Sequence, residues 1–284
     1  MNNTKVIGLD LGATNIRGAV VNDNKLSGIV SRKINSDGTV EDVMNDIYEV
    51  TDALLKADNA VAIGIGVPSV VDVAEGIVYE VQNIPSWKEV HLKQLMQERY
   101  KLPVYVNNDA NCFAVGEYYF GKGNNTDSMI GLTLGTGLGA GVMINKHLYP
   151  GFNCGAGEFG MFPYQGNVLE YYCSGSFFNN VYGLDGVQVF EDAKRGDGQA
   201  LKLYRELGDH IGYAIKLVMY AYDPQLIVLG GSVRHAYEFF EQTMWQQIKT
   251  FAYTKTVERL RVEVSDLENS GIIGAAALYY DSEQ

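Results

Sequence analysis

The chain has 284 residues, 46% of them hydrophobic and 20% charged, with a formal net charge of −12. That composition suits a globular protein of two ordinary domains or one large one, and its acidity argues against nucleic acid, whose phosphates are held by clustered Lys and Arg. No apolar run approaches the ~18 residues of a membrane span, and Cys112, Cys154 and Cys173 lie apart with no CxxC spacing, as unpaired thiols of a reducing cytoplasm would.

The start, MNNTKVIGLD, has no charged-then-apolar leader and runs straight into a strand pattern, so a cytoplasmic location is expected. Residues 6–21 read as a β-hairpin, and VEDVMNDIYEVTDALLK, from residue 40, as a helix with apolar side chains near helical spacing. A buried strand is predicted over 61–69, followed by a loop at NIPSW and a helix around 88–99. The segment 102–109 is a strand with a polar end, and ANCFAVGEYYFG a helix stopped by Gly121. A second hairpin covers 129–144. Beyond it the pattern predicts a helical region over roughly 187–222, a strand over 224–233 that enters a Gly-Gly turn, and a helix over 236–250. A last strand, LRVEVSDL, precedes a small-residue helix from Ser270. Strands alternating with helices predict an α/β fold.

The two hairpins are an internal repeat. VIGLDLGATNIRGAVV and MIGLTLGTGLGAGVMI align at an offset of 123 residues, with Ile, Gly, Leu, Leu, Gly and Gly recurring. Each turn is rich in Gly, Thr or Asn, so each presents several N–H groups to one point, which suits phosphate oxygens; Asp10 is placed to hold magnesium through water. One such turn alone would equally be a plain glycine hairpin, but two facing turns can clamp a nucleotide triphosphate. The absence of a GxxxxGK[ST] loop and of HRD and DFG elements removes the P-loop and protein-kinase readings. After these turns, VLGGSV offers Gly230 and Gly231 as a seat for adenosine. VNNDANCF puts Asn108 and Asp109 at the carboxyl end of a strand, where α/β proteins bind ligands. There Asp109 either caps the next helix or accepts a hydroxyl proton as the γ-phosphoryl group arrives.

Together these stretches resemble the ROK family of sugar kinases and related repressors, which share the duplicated actin-like ATPase (ribonuclease H-like) fold. GLDLGATNIRGAVV is similar to the family's phosphate-1 hairpin, NNDANCFAVGE to its catalytic stretch, LTLGTGLGAGVMINKHLYPGFNCGAGEFG to its phosphate-2 hairpin and signature, and IVLGGSV to its adenosine motif. The resemblance implies ATP, Mg2+ and a small sugar as ligands, with Asp109 as catalytic base. Asn108, Glu158, Glu170 and, in NIPSW, Asn83 would bind the sugar. Asp10, Gly12, Thr14 and Asn15 in the first turn, Thr136 and Gly137 in the second, and Gly230 and Gly231 would bind the nucleotide. Two domains are expected: 1–120, with a terminal helix over about 270–284 packing back onto it, and 121–269. A homodimer is expected, with no nucleic-acid or membrane partner.

The chain departs from the family at Met161, where a histidine usually stands, and in FPYQGNVL, which replaces a CxCGxxGC zinc cluster. No thiolate or imidazole is left there to coordinate, so no zinc is expected, with tyrosine and phenylalanine packing in its place. The implied activity is glucokinase-like; fructose, N-acetylmannosamine, allose and β-glucosides stay open as acceptors. A sugar-responsive repressor would need a basic helix-turn-helix ahead of the first strand, which begins about five residues from Met1, and that argues against it. A silent sugar-binding module is the remaining alternative.

Overall fold

The structure, a computed structural model, describes residues 4–283. In chain order the first half runs β1 (Lys5–Leu11), β2 (Asn15–Asn22), β3 (Lys25–Lys33), α1 (Val40–Ala57), β4 (Ala62–Val67), β5 (Val70–Asp72), β6 (Ile77–Tyr79), β7 (Glu89–Val90), α2 (Leu92–Tyr100), β8 (Val104–Asn108) and α3 (Asp109–Phe120). The second half runs β9 (Ser128–Leu134), β10 (Leu138–Ile144), β11 (His147–Leu148), β12 (Pro163–Tyr164), β13 (Asn167–Val168), α4 (Leu169–Tyr172), α5 (Phe177–Tyr182), α6 (Gly186–Lys194), α7 (Gly198–Tyr222), β14 (Leu226–Gly230), α8 (Tyr237–Ile248), α9 (Thr254–Arg259), β15 (Arg261–Val264) and α10 (Ser270–Ser282).

The chain forms two compact units: one holds the residues up to Asn125, Gly141–Ala156 and those from Asp266 on, the other Thr126–Ala140 and Gly157–Ser265. The first unit therefore includes Gly141–Ala156, which the sequence expectation gave to the second domain. The reason is packing: Cys154 is part of the first unit's buried core, and a Cβ on Gly141 would stand 2.5 Å from the Ala110 carbonyl oxygen.

The first sheet has the order β3-β2-β1-β4-β8, antiparallel through β3, β2 and β1 and parallel through β1, β4 and β8. The second repeats that order as β11-β10-β9-β14-β15, again with parallel β9, β14 and β15. β1 and β9 have the same length and the same burial pattern at the offset of 123. The second strands do not keep that offset. Asn22 pairs with Lys25 as Ile144 pairs with His147, and the burial of Ile16–Asn22 matches that of Leu138–Ile144. Both place the second strands 122 apart, so the second turn is one residue shorter, and Gly18 corresponds to Ala140 rather than to Gly141.

Helix α1 begins in a reciprocal capping box between Thr39 and Asp42 and buries Val43, Met44, Ile47, Val50 and Leu54 on one face, the pattern of an amphipathic helix laid on a sheet. α10 instead buries a continuous run, Ile272 to Leu278, rich in Gly and Ala. It lies in the first unit, and Gly8, Gly64 and Gly116 meet its backbone with no side chain between. The expected single helical region over 187–222 is two helices, broken at Arg195–Asp197, where Gly196 has φ +81°. No helix among the described residues is long and apolar enough to cross a membrane.

Candidate active site

In the first unit the carboxyl ends of β1, β4 and β8 share one edge. Asp10 pairs with Gly66, and Gly66 with Asn107, so the strand between the two polar residues presents no side chain. A Cβ on Gly66 would lie 3.2 Å from the Cys112 sulfur and 3.9 Å from the Asp109 Cα. Asp10 and Asp109 thus occupy one neighbourhood: burial pushes the Cys112 thiol well up, and the charges of Asp109 and Asp10 push it further. Burial also raises the Asp10 carboxyl, against the pull of the Arg17 guanidinium, which itself donates to Asn269 at 2.5 Å. The turn after β1 leaves Thr14 and Asn15 exposed; Gly12 N–H closes it onto the Asn15 carbonyl at 2.9 Å.

The cap of α3 is Asn108, not Asp109. Its side-chain oxygen accepts from the amides of Ala110 and Asn111 at 2.8 and 3.4 Å, and its amide donates to the Ser69 carbonyl at 3.3 Å. Asn108 is therefore largely committed to the protein, while Asp109 is the first residue of the helix. Behind this pair lies a buried polar knot that sequence reasoning missed. The Asn107 side-chain oxygen accepts from the Asn108 amide at 2.9 Å, from the Asn111 side chain at 2.9 Å and from the Cys154 thiol at 3.4 Å. Its signal in the sequence is three Asn in VNNDAN. Asn83 is exposed in a loop closed by Val81 N–H on the Trp87 carbonyl at 3.1 Å.

In the second unit the turn between β9 and β10, Gly135–Gly137, is gripped from one side. Gly175 N–H donates to the Gly135 carbonyl at 2.7 Å, the Ser176 hydroxyl to the Thr136 carbonyl at 2.7 Å, and Leu138 N–H to Glu170 Oε2 at 3.3 Å. The grip needs small residues: a Cβ on Gly137 would lie 2.6 Å from that same carboxylate oxygen. Ser174, Gly175 and Ser176 are a second group that the sequence reading passed over, legible only as a small polar run after α4.

Glu158 precedes the 3-10 turn Phe159–Met161 and makes no capping bond. Gly157, at φ +95°, and Gly160 let this stretch lie against the backbone of Ala140 and Leu138, where a Cβ would come within 2.4 and 2.5 Å of their carbonyl oxygens. The two glutamates converge: burial raises the Glu158 carboxyl, and the Glu170 charge raises it further. Met161 is 58% exposed. FPYQGNVL forms the short β12–β13 hairpin, whose Tyr164 stacks on Tyr213 at 4.7 Å and meets His210 Nδ1 through its hydroxyl at 3.0 Å. This is the aromatic packing expected there. Among the described residues no group of three His, Cys, Asp or Glu side chains is arranged to hold a metal.

A cavity of about 520 Å3 opens beside the gripped turn, lined by Gly135, Thr136, Gly175, Ser176, Phe178, Asn179, Asp185, Gly186, Val187, Phe190, Tyr204, Ser232, Val233, His235 and Ala236. Strand β14 delivers the chain to it through Gly230 and Gly231. Gly231 has φ +75°, and a Cβ there would sit 2.3 Å from the Leu134 carbonyl oxygen, so only glycine fits. Thr136 and Ser232, the residue that follows the Gly-Gly turn and lies 96 positions further on in sequence, therefore meet at one concave surface with an apolar, aromatic wall. A flat ring system ending in phosphates suits that shape.

Comparison with known proteins gives a consistent picture. A family model described as "ROK family" matches residues 6–282. A glucokinase of Thermotoga maritima is 29% identical over 306 aligned positions, covering 96% of each chain. A xylose repressor of Bacillus subtilis is 25% identical, over 97% of this chain and 77% of its own. A ROK family glucokinase from Streptomyces griseus, solved with glucose and AMPPNP, superposes with a TM-score of 0.81 at 27% identity, over 96% of this chain and 98% of its own.

Proposed function

This chain belongs to the ROK family, with the actin-like ATPase fold, and on that premise we propose that it is an ATP- and magnesium-dependent sugar kinase, glucokinase-like, acting on a primary hydroxyl. The observation that carries the reading is the meeting of Thr136 with Ser232 and Val233, the residues that follow the Gly230–Gly231 turn, at one cavity. The glucokinase relatives support the transfer of a phosphoryl group to a sugar.

In the reaction the sugar hydroxyl oxygen attacks the γ-phosphorus, the bond to the β-phosphate bridging oxygen breaks, and ADP leaves with that electron pair. Asp109 takes the hydroxyl proton. Glu158 and Glu170 accept hydrogen bonds from sugar hydroxyls and fix the ring's orientation; Asn83 and Asn108 are the further sugar ligands of this reading. Gly12, Thr14 and Asn15 in one turn, and Thr136 and Gly137 in the other, orient the phosphates, so positioning and electrostatics do most of the catalysis. Asp10 fits a water-mediated magnesium contact, because a hard cation favours the ionised carboxylate that burial alone disfavours. When bound, the ion would neutralise charge on the phosphates. The proposal extends to a cytoplasmic homodimer of two domains without structural zinc.

The test is ADP release over a panel of hexoses and amino sugars. Sugar-dependent turnover supports the reading; none with any sugar refutes it. The xylose-repressor relative favours a second reading, a sugar-responsive regulator, which would release no ADP yet bind sugar in a calorimetric titration.

A further inference from the structure

Glu170, a sugar ligand in the reading above, also holds the turn between β9 and β10. Its Oε2 accepts the Leu138 amide at 3.3 Å, and Leu138 adjoins the Gly135–Gly137 turn whose Thr136 lines the cavity. Four residues past Glu170, the Ser174–Ser176 run holds the same turn through Gly135 and Thr136. The carboxylate's other oxygen, Oε1, has no protein partner among the described residues, so it is the one offered to a sugar hydroxyl. One carboxylate therefore pins the turn with one oxygen and leaves the other for the sugar that the proposed function gives it.

Resting on the kinase reading above, we propose that Glu170 is a positioning residue that couples sugar occupancy to nucleotide affinity through Leu138 N–H. The sign follows from charge. An unneutralised carboxylate against the turn repels the phosphates the turn must hold. A sugar hydroxyl donating to Oε1 draws negative charge away from the turn and holds the carboxylate in place, so sugar tightens nucleotide binding. By linkage, nucleotide tightens sugar binding by the same factor. Gly137 is what lets the contact form, since its missing Cβ is the space the carboxylate oxygen occupies.

The experiment is calorimetric titration of MgADP into the protein, with and without saturating glucose. It uses the unmutated chain, Glu170→Gln and Gly137→Ala, each checked for an unchanged circular dichroism spectrum. In the unmutated chain glucose tightens ADP binding roughly 5-fold or more, the lower end of common couplings between sites. Glu170→Gln, lacking the charge, binds ADP more tightly than the unmutated chain when no sugar is present, and glucose adds nothing. Gly137→Ala keeps the charge but pushes the carboxylate off Leu138 N–H, so the glucose effect disappears.

A glucose effect that survives either substitution, a sugar-free ADP affinity unchanged in Glu170→Gln, or no glucose effect in the unmutated chain overturns the coupling. These failures are separate from failure of the kinase reading, which shows as absent ADP release with every sugar.

Discussion

Gly64→Ala tests how helix α10 is seated. Gly64 sits in the middle of β4, paired with Gly8 on one side and Tyr105 on the other. A Cβ there would stand 1.8 Å from the Ala275 carbonyl oxygen and 2.5 Å from its carbonyl carbon. Contact between such atoms is favourable near 3.5 Å, so one backbone must retreat by about 1.7 Å. Neither can do so cheaply, because one belongs to a central strand and the other to the middle of a helix. Overpacking costs about 1–3 kcal/mol, and two rigid partners put this case at the upper end, about 3 kcal/mol. At roughly 2–4 °C per kcal/mol for a chain of this size class, the melting temperature falls by about 6–12 °C.

Thermal unfolding followed by circular dichroism measures this shift. Gly155→Ala serves as control, since nothing lies within 4 Å of a Cβ there; it should stay within about 0.5 kcal/mol of the unmutated chain. The displacement also reaches the site: a Cβ on Gly271, in the first turn of α10, would be 2.6 Å from Asp10 Oδ2, so kcat falls along with stability. A Gly64→Ala protein as stable as the control would refute the direct seating of α10 on β4.

Asp109→Asn should lower kcat by roughly 10²- to 10⁴-fold, the usual worth of a general base, with little change in the KM for ATP; steady-state kinetics would expose turnover that survives the substitution. Burial, and then the Glu170 charge, raise the Glu158 carboxyl, so the acid limb of kcat/KM for sugar should lie above the ordinary glutamate range. Sugar binding uses the ionised form, which is lost as pH falls through that raised pKa. Glu170→Gln removes one of the two causes and should move the limb downward; a limb that stays in place would mean another group titrates there. Metal analysis of purified protein should find no zinc, and a stoichiometric amount would overturn the reading of Met161 and FPYQGNVL.

Much of the architecture was legible because a buried strand ending in a glycine turn leaves a strong pattern, and this chain carries it twice. What the alignment could not register is the one-residue shortening of the second turn, since repeated glycines match at either offset; strand pairing decides it. β3 was invisible because KLSGIVSRK is an edge strand with no buried residue, so alternation never develops. The β12–β13 hairpin hides for another reason: each strand is two residues long. The glutamates were recognisable as a pair, yet the bond from Leu138 N–H to Glu170 spans 32 residues and depends on Gly137 having no side chain. Likewise the capping role of Asn108, one residue ahead of Asp109, is a matter of local dihedral angles that the two adjacent polar residues leave undecided.

The most direct measurement of the central claim is the fate of the γ-phosphoryl group. Phosphorus NMR of ATP, magnesium and glucose incubated with the protein should show a sugar phosphate monoester rising one for one with ADP, and rising at least roughly 10²-fold more slowly with Asp109→Asn. Release of inorganic phosphate instead, or no change in the ATP resonances with any hexose offered, would contradict the account.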